Sequence, residues 1–225
     1  MIVFNEVAKK FPLGNYALNE VSFEIDKNEF VFLVGPSGAG KTSIIKLILR
    51  EILPSSGTVT VAGDEISSPS FNKISELRQK IGVVFQDFKI LSDKNIFENI
   101  AITCQIQGIN KSETKSKVLK TLSLVNLKNK ENLFPVQLSA GELQRVAIAR
   151  AIVGEKKYIV ADEPTGNLDP KTSWEIMKIF KKIEGDKTII IATHNSDIVN
   201  SLKKRVITLK EGRIVKDNKQ GGYDL

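Results

Sequence analysis

The sequence predicts an α/β fold with a mostly parallel core sheet, an antiparallel β subdomain and an inserted α-helical subdomain. Short aliphatic runs typical of buried strands alternate with helical patterns, as a parallel sheet requires. One of these runs leads directly into a glycine-rich loop that opens a helix, and another ends in two acidic residues. Loops at the carboxyl ends of parallel strands gather at one edge of a sheet, so these features are expected to lie at that edge.

The predicted strands form two groups. Strand patterns at 2–4, 21–25 and 58–63 predict the antiparallel subdomain, because the last of them alternates with a period of two. The segment 205–215 predicts a hairpin. The predicted core strands are 30–34, 81–85, 158–161 and 188–192.

A single domain over 1–225 is predicted, with a helical subdomain at approximately 87–155. A capping box begins one helix of this subdomain at Asn95, and an amphipathic run over 111–125 predicts another. Pro135 then ends the helical pattern.

Composition narrows the class of protein. The net charge is +7, from 33 Lys and Arg against 26 Asp and Glu, but the basic residues are dispersed, so no direct nucleic-acid partner is expected. The densest basic cluster, 203–205, is predicted to be a strand-edge surface. A lone Cys104 offers neither a disulfide framework nor a zinc site, and the aliphatic runs are too short to cross a bilayer. A cytoplasmic protein is expected.

Phosphate binding is predicted for the glycine-rich loop after the strand 30–34. Glycines let backbone N–H groups surround phosphate oxygens, and the following helix adds partial positive charge. Lys41 is expected to reach the β- and γ-phosphates, and Thr42 to ligate Mg²⁺. The predicted nucleotide-binding residues here are Gly35, Pro36, Ser37, Gly38, Ala39, Gly40, Lys41, Thr42 and Ser43.

A second motif, Leu138–Arg145, precedes the strand 158–161 and its terminal acids. With it the chain resembles the ATP-binding cassette (ABC) family over nearly its whole length, because every motif of such a cassette occurs in the family's order. The segment 83–91 further resembles the glutamine loop of the family's cell-division members. The resemblance implies a P-loop NTPase fold, with ATP and Mg²⁺ as cofactors.

The family resemblance assigns roles at three strand ends. Glu163 is implied as the general base that polarises the attacking water. His194 is implied as the switch histidine that contacts the γ-phosphate. Gln86 is expected to join the Mg²⁺ shell or the water, and Asp162 to hold Mg²⁺ opposite Thr42.

The family resemblance also implies a homodimer that forms on ATP binding. In it, Ser139, Gly141 and Asp169 of one protomer contact the nucleotide held by the other. Ser139 also begins a capping box, and the two roles are compatible because a helix N-terminus binds anions. Asp169 followed by Pro170 likewise fits a helix N-cap with proline at the first helical position. Phe11 is expected to stack on adenine, with Tyr16 as the alternative.

Two positions depart from the family pattern. Ala140 replaces the first of the usual glycines, and its methyl group near the phosphate is expected to weaken closure or slow hydrolysis. Asn195 replaces the usual aspartate after His194 and is expected to leave the role of the histidine in place.

The resemblance implies an integral membrane permease subunit that docks near Gln86 and the helical subdomain, and hence a peripheral location at the cytoplasmic face of the cell membrane. For the cell-division members the output is control of peptidoglycan hydrolysis. The alternative is the same ATPase driving export of lipoproteins or small molecules. A nucleic-acid-handling cassette of the repair or translation kind predicts zinc cysteines, a long coiled coil or two cassettes, and is disfavoured.

Overall fold

The computed structural model describes residues 1–12, 14–219 and 221–223. The predicted domain over 1–225 also includes residues 13, 220, 224 and 225, which lie outside the described residues. The chain divides into two compact units, the first made of Met1–Arg78 with Thr188–Leu225 and the second of Gln79–Lys187.

The helices and strands follow the predicted alternation. In chain order they are β1 (Ile2–Lys10), β2 (Tyr16–Ile25), β3 (Phe30–Val34), α1 (Lys41–Ile48), β4 (Ser56–Val61), β5 (Asp64–Glu65), α2 (Ile74–Lys80), β6 (Ile81–Val84), α3 (Ile96–Ile106), α4 (Lys111–Leu124), a 3₁₀ turn (Pro135–Gln137), α5 (Ala140–Ile152), β7 (Tyr158–Asp162), α6 (Pro170–Lys182), β8 (Thr188–Thr193), α7 (Ser196–Leu202), β9 (Arg205–Lys210) and β10 (Arg213–Asn218).

An antiparallel sheet in the first unit has the strand order β2-β1-β4-β5. Ile2 pairs with Ile25 on one side and with Val61 on the other, and all three side chains are buried. This sheet confirms the predicted antiparallel group. Its first two strands are longer than predicted, because their pairing continues across register shifts as far as Lys10 and Tyr16.

Parallel strands form the other sheet of the first unit. β3 lies between β8 and β9, and Val34 is aligned with both Thr193 and Thr208. Every residue of β3 and β8 is buried, which is why these strands read as continuous aliphatic runs. β9 and β10 form the predicted hairpin, which continues to Asn218.

The second unit combines two parallel strands with helices. β6 pairs with β7 in a register that aligns Val84 with Ala161. Helix α5 packs against β6 and against α3. The predicted capping box is confirmed at α3, where the Asn95 side chain accepts from the Glu98 amide and the Glu98 carboxylate accepts in return. Among the described residues, no helix has the length and hydropathy to cross a bilayer.

The prediction of a strand-edge surface was wrong for Arg205. Its side chain is only 11% exposed and lies between two carboxylates, with Nη1 at 2.9 Å from Glu29 Oε1 and Nη2 at 2.7 Å from Asp217 Oδ2. Nη1 also donates to the Glu24 carbonyl at 2.8 Å. The guanidinium therefore connects β9 to β2, to β10 and to the turn before β3.

Replacing Arg205 with Met leaves two partly buried carboxylates without their shared cation. We expect Arg205→Met to lower the free energy of unfolding by about 2–3 kcal/mol in urea titrations. Lys210→Met is the matched control, because it removes the same charge from an exposed position on the same strand and should change stability by less than about 0.5 kcal/mol. Equal effects of the two substitutions would contradict a structural role for the ion pairs.

Candidate active site

The glycine-rich loop, residues 35–40, lies between β3 and α1 and is called the phosphate loop below. It is packed too closely for side chains at two of its glycines. A Cβ on Gly35 would overlap the Leu209 carbonyl oxygen of the neighbouring strand. Gly40 has a φ of 108°, and a Cβ there would lie 2.6 Å from the Ala17 carbonyl oxygen. Glycine is therefore required at both ends of the loop by packing and by backbone conformation.

The ammonium of Lys41 lies inside this loop. Its Nζ donates to the carbonyls of Gly35 at 2.7 Å and Pro36 at 3.1 Å, and the residue is buried. Lys41 is also the first residue of α1, whose N-cap is Gly40, so the start of the helix carries no capping side chain. Thr42 follows with an exposed side chain. A loop of backbone amides, a helix start and one ammonium together make an anion site.

His194 lies beside the start of the loop because of strand register. Val34 and Thr193 are aligned, so Gly35 and His194 each follow a paired strand end. Asn195 then caps α7 by accepting a hydrogen bond from the Ile198 amide at 3.1 Å. Asparagine caps a helix as well as aspartate does, so the departure at this position preserves the start of α7.

Phe11 and Tyr16 flank the turn between β1 and β2. Both rings are exposed, at 43% and 54%, and each has a lysine ammonium over its face. The carbonyl that contacts Gly40 belongs to Ala17, the residue after Tyr16. Both candidate adenine-stacking residues thus belong to the part of the first unit that supports the phosphate loop.

In the second unit, strand register brings Gln86 alongside the acidic pair. The alignment of Val84 with Ala161 places Gln86 and Glu163 two residues beyond the same paired position. Gln86 Nε2 donates to Asn167 Oδ1 at 3.2 Å. The side chain of Gln86 is thereby held against the loop that follows Glu163.

The backbone at Glu163 is left-handed, with a φ of 47°. Two contacts hold this conformation: the Gly166 amide donates to the Glu163 carbonyl at 3.1 Å, and Gln144 Nε2 donates to the Pro164 carbonyl at 2.6 Å. A non-glycine residue in this region costs about 1 kcal/mol and persists where the surroundings enforce it, often at functional sites. The turn also ends β7 at Asp162, so the Glu163 side chain does not continue the alternation of side chains along that strand.

Ser139 begins α5 through a complete capping box. The Glu142 amide donates to Ser139 Oγ at 3.4 Å, while Glu142 Oε2 accepts from the Ser139 amide at 2.9 Å and from its hydroxyl at 3.1 Å. Glu142 also forms an ion pair with Lys130. The Lys130 ammonium, followed by the Ser139 amide, lowers the pKa of the Glu142 carboxyl to about 2.

Gly141 and Asp169 are brought together through Thr172. A Cβ on Gly141 would lie 2.5 Å from Thr172 Cγ2, so α5 and α6 approach closely at this point. Asp169 caps α6 by accepting from the Thr172 amide at 3.0 Å and from its hydroxyl at 2.6 Å, and these hydrogen bonds lower the pKa of Asp169. The predicted cap at Asp169, with Pro170 first in the helix, is confirmed.

The site residues therefore form two sets, one in each unit. The first unit gathers the phosphate loop, His194 and the aromatic pair. The second gathers Gln86, the acids and the starts of α5 and α6. Sequence reasoning missed three residues that hold the second set, namely Lys130, Gln144 and Asn167. Each of them contacts its partner through a side chain, and no local motif marks such a contact.

Comparison with known proteins decides the family. The ABC transporter family matches residues 18–166, which is more than half of the chain. The chain belongs to the ABC transporter family. This membership confirms the predicted P-loop α/β fold and the predicted class of enzyme, an ABC ATPase.

Full-length relatives in this family share a cell-division name. The chain is 49% identical to the cell division ATP-binding protein FtsE of Bacillus subtilis, over 99% of this chain and 98% of that protein. It is 46% identical to FtsE of Streptococcus pneumoniae, over 100% of this chain and 99% of that protein. The predicted resemblance to the cell-division members of the ABC family is confirmed.

A solved structure has the same fold. It is described as the dimeric structure of a post-hydrolysis state of the ATP-binding cassette MJ0796 bound to ADP and Pi. The TM-score is 0.88 at 32% sequence identity, and the match covers 99% of this chain and 100% of that chain. ATP binding by this ABC ATPase follows from the family, which confirms that part of the cofactor prediction.

The capping carboxylate of α5 gives a pH-dependent contribution to stability. Because the pKa of Glu142 is lowered from 4.5 to about 2 in the folded state, its stabilisation is present above about pH 4.5 and is lost as the pH falls towards 2. We expect Glu142→Gln, which keeps the capping-box geometry, to be less stable than the parent by about 1 kcal/mol near neutral pH. Urea titrations should show this difference shrinking as the pH falls from about 4.5 towards 2.

Glu155→Gln is the control for that titration, because Glu155 is an exposed residue of the same unit. If the free energies of unfolding of Glu142→Gln and the parent differ by a constant amount from neutral pH to pH 3, the ionised Glu142 carboxylate is not the source of the stabilisation.

Proposed function

We propose that this ABC ATPase is the ATP-hydrolysing subunit of a membrane complex that acts in cell division, as an FtsE-like protein with an FtsX-like permease. The full-length identity to cell-division relatives carries this proposal. In the complex, ATP hydrolysis would control peptidoglycan hydrolysis rather than move a solute. The protein would bind peripherally at the cytoplasmic face of the cell membrane, through the permease.

Nucleotide binding is proposed for the first unit. The backbone of Gly35–Gly40 and the start of α1 would hold the phosphates, and the Lys41 ammonium would exchange its loop carbonyls for phosphate oxygens. Ser43 lies in the first turn of α1, where its backbone amide would contribute to the same anion site. Phe11 would stack on adenine, and its exposed face makes this possible.

Magnesium binding is proposed for Thr42, Gln86 and Asp162. A hydroxyl, an amide oxygen and a carboxylate are the hard oxygen donors that Mg²⁺ prefers, and few protein ligands suffice because the ion keeps several waters. The bound ion would neutralise charge on the phosphates. Gln86 Nε2 already donates to Asn167, which leaves its amide oxygen as the atom for the metal or for a water molecule.

Hydrolysis is proposed to use Glu163 as the general base. The backbone turns at Glu163, directly after the last residue of β7, so Glu163 does not follow Asp162 along a regular strand. We assign the two adjacent acids different tasks: Asp162 would hold the metal ion and Glu163 would act on the water. Glu163 would accept a proton from the attacking water as the bond from the water oxygen to the γ-phosphorus forms and the bond from the γ-phosphorus to the β–γ bridging oxygen breaks, with ADP as the leaving group. His194, directly after β8, would contact the γ-phosphate and orient the water.

A homodimer that forms on ATP binding is proposed to complete each site. The start of α5, at Ser139 and Gly141, would face the γ-phosphate held by the partner protomer, and Asp169 would cross the same interface. Ser139 and Ala140 are exposed at this helix start, where partial positive charge favours a phosphate, and Gly141 behind them is buried. Ala140 has its methyl group at this position, which is expected to weaken closure or slow hydrolysis.

The permease is proposed to dock near Gln86 and the helical subdomain at approximately 87–155. Exposed apolar side chains occur in this segment, including Leu91, Ile106 and Phe134. A second candidate, an ATPase for export of lipoproteins or small molecules, would use the same nucleotide site with another permease. The cell-division relatives favour the first candidate, since they match over the full length of the chain.

Removing the proposed general base should abolish turnover while leaving nucleotide binding intact. We expect Glu163→Gln to lower kcat for ATP by about 100-fold or more, because proton transfer in the transition state is lost. Its Kd for ATP should stay within about threefold of the parent, since the phosphate loop is untouched. Steady-state hydrolysis and equilibrium ATP binding measure the two quantities.

The exposed Glu211, at the turn between β9 and β10, offers the matched control Glu211→Gln. Its kcat should equal that of the parent. Turnover of Glu163→Gln equal to that of the parent would sink the general-base assignment.

Partner stimulation distinguishes the two candidate functions. We expect the ATPase rate of the purified chain to rise in nanodiscs that contain an FtsX-like permease and to stay at the basal rate with a lipoprotein-export permease. Hydrolysis is measured at equal protein concentration with empty nanodiscs as the control. Stimulation by the export permease alone would favour the second candidate.

A further inference from the structure

The segment after Gln86 contains two consecutive residues in the left-handed backbone region. Phe88 has a φ of 60° and Lys89 a φ of 49°. Residues with a Cβ rarely adopt this conformation singly, and two in succession need an external constraint. The segment 87–89 is therefore held in its conformation by contacts rather than by its own preference.

Arg150 supplies two such contacts. Its Nη1 donates to the Lys89 carbonyl at 2.7 Å and its Nη2 donates to the Phe88 carbonyl at 3.0 Å. The planar guanidinium presents its donors as a fork, which suits two adjacent carbonyls. Burial lowers the pKa of Arg150, but an arginine remains protonated, so both hydrogen bonds are charge-assisted.

The other contacts of this segment are backbone hydrogen bonds, an exposed ion pair and side-chain contacts at its far end. The Lys89 amide donates to the Asp87 carbonyl at 2.6 Å, and the Phe88 amide donates to the Phe85 carbonyl at 3.4 Å. The ion pair between Lys89 and Asp87, at 2.6 Å, joins side chains that are 62% and 61% exposed, where solvent screens the attraction. Beyond the segment, the Asn99 side chain accepts from the Leu91 amide at 2.9 Å and donates to the Leu91 carbonyl at 3.0 Å. Arg150 is thus the charged side chain that fixes the middle of the loop.

Arg150 lies near the end of α5, the helix whose start is capped by Ser139. An α-helix rises about 1.5 Å per residue, so these two residues are separated by roughly 16 Å of regular helix. The hydroxyl of Thr103 donates to the Arg150 carbonyl at 3.1 Å and ties this end of α5 to α3. A displacement at the start of α5 would therefore reach the carbonyls of Phe88 and Lys89 through one rigid element.

We infer that Arg150 is a positioning residue: its guanidinium holds the segment 87–89 in the left-handed conformation and so fixes Gln86 relative to α5. The catalytic consequence rests on the proposed function, in which Gln86 serves the metal or the attacking water. In the proposed homodimer, α5 faces the nucleotide held by the partner protomer, and Gln86 serves the nucleotide held by its own protomer. Arg150 would therefore connect the geometry of Gln86 to the helix that faces the other nucleotide.

Amide hydrogen exchange tests the contact without reference to catalysis. In Arg150→Met, exchange over 87–91 should accelerate by at least about tenfold, because two charge-assisted hydrogen bonds are lost. Arg145→Met is the matched control, since Arg145 lies on the same helix and forms an ion pair with Glu175 instead. Arg150→Lys replaces the planar guanidinium with a single ammonium and should give an intermediate exchange rate. It takes the place of Arg150→Met if the Met variant does not fold.

A rescue experiment tests the mechanism. We expect Arg150→Met to lower kcat about tenfold with little change in KM, because positioning and not ATP binding is lost. Lys89→Gly removes the Cβ that disfavours the left-handed region and should restore at least half of the lost rate in the double variant. In a Gln86→Ala background, Arg150→Met should have no further effect.

Unchanged exchange over 87–91 in Arg150→Met would overturn the inference, and so would a kcat loss that Lys89→Gly does not rescue. If Gln86→Ala itself leaves kcat unchanged, the proposed catalytic role of Gln86 fails, whereas the exchange comparison still decides the role of Arg150. The two failures are therefore distinguishable.

Discussion

The common end of β3 and β8 is the constraint on which the proposed nucleotide site of the first unit depends. Val34 and Thr193 are the aligned last residues of these two strands, whereas β9, which pairs with β3 on its other side, continues two residues past the aligned Thr208 to Lys210. The phosphate loop fits there only because Gly35 has no side chain to meet the Leu209 carbonyl. The Gly212 amide then donates to the Ala39 carbonyl at 3.2 Å, which ties the next turn to the loop.

Helix α5 has the corresponding role in the second unit. Gln144 holds the turn after Glu163, Arg145 forms an ion pair with Glu175 of α6, and Arg150 holds the segment after Gln86. Its start is fixed by the capping box and by the ion pair of Glu142 with Lys130. One helix therefore supports both proposed catalytic residues of the second unit, Glu163 and Gln86.

The sequence predicted features whose cause is local. The strand over 30–34 was predicted with its observed bounds, because all five side chains are apolar and a glycine follows. The caps at Asn95, Ser139 and Asp169 were also predicted, since a capping residue and its partner lie three positions apart. Local spacing carries enough information for these elements.

Contacts between distant residues could not be predicted in this way. Arg205 reads as part of an exposed basic cluster, yet its partner Glu29 lies 176 residues away along the chain. No sequence motif surrounds Tyr223, yet its side chain is buried and its backbone exchanges two hydrogen bonds with the Asn200 side chain. Such contacts depend on the assembled fold, and a single sequence holds no periodicity that marks them.

In the proposed homodimer, two copies of this chain complete each other's nucleotide site. The most direct test is the mass in solution of Glu163→Gln, measured by light scattering with saturating ATP and Mg²⁺, with ADP as the comparison. We predict a mass of two protomers with ATP and of one protomer with ADP, because in the proposed dimer only the γ-phosphate would reach the start of α5 in the partner. A single-protomer mass with ATP demonstrably bound would contradict the account.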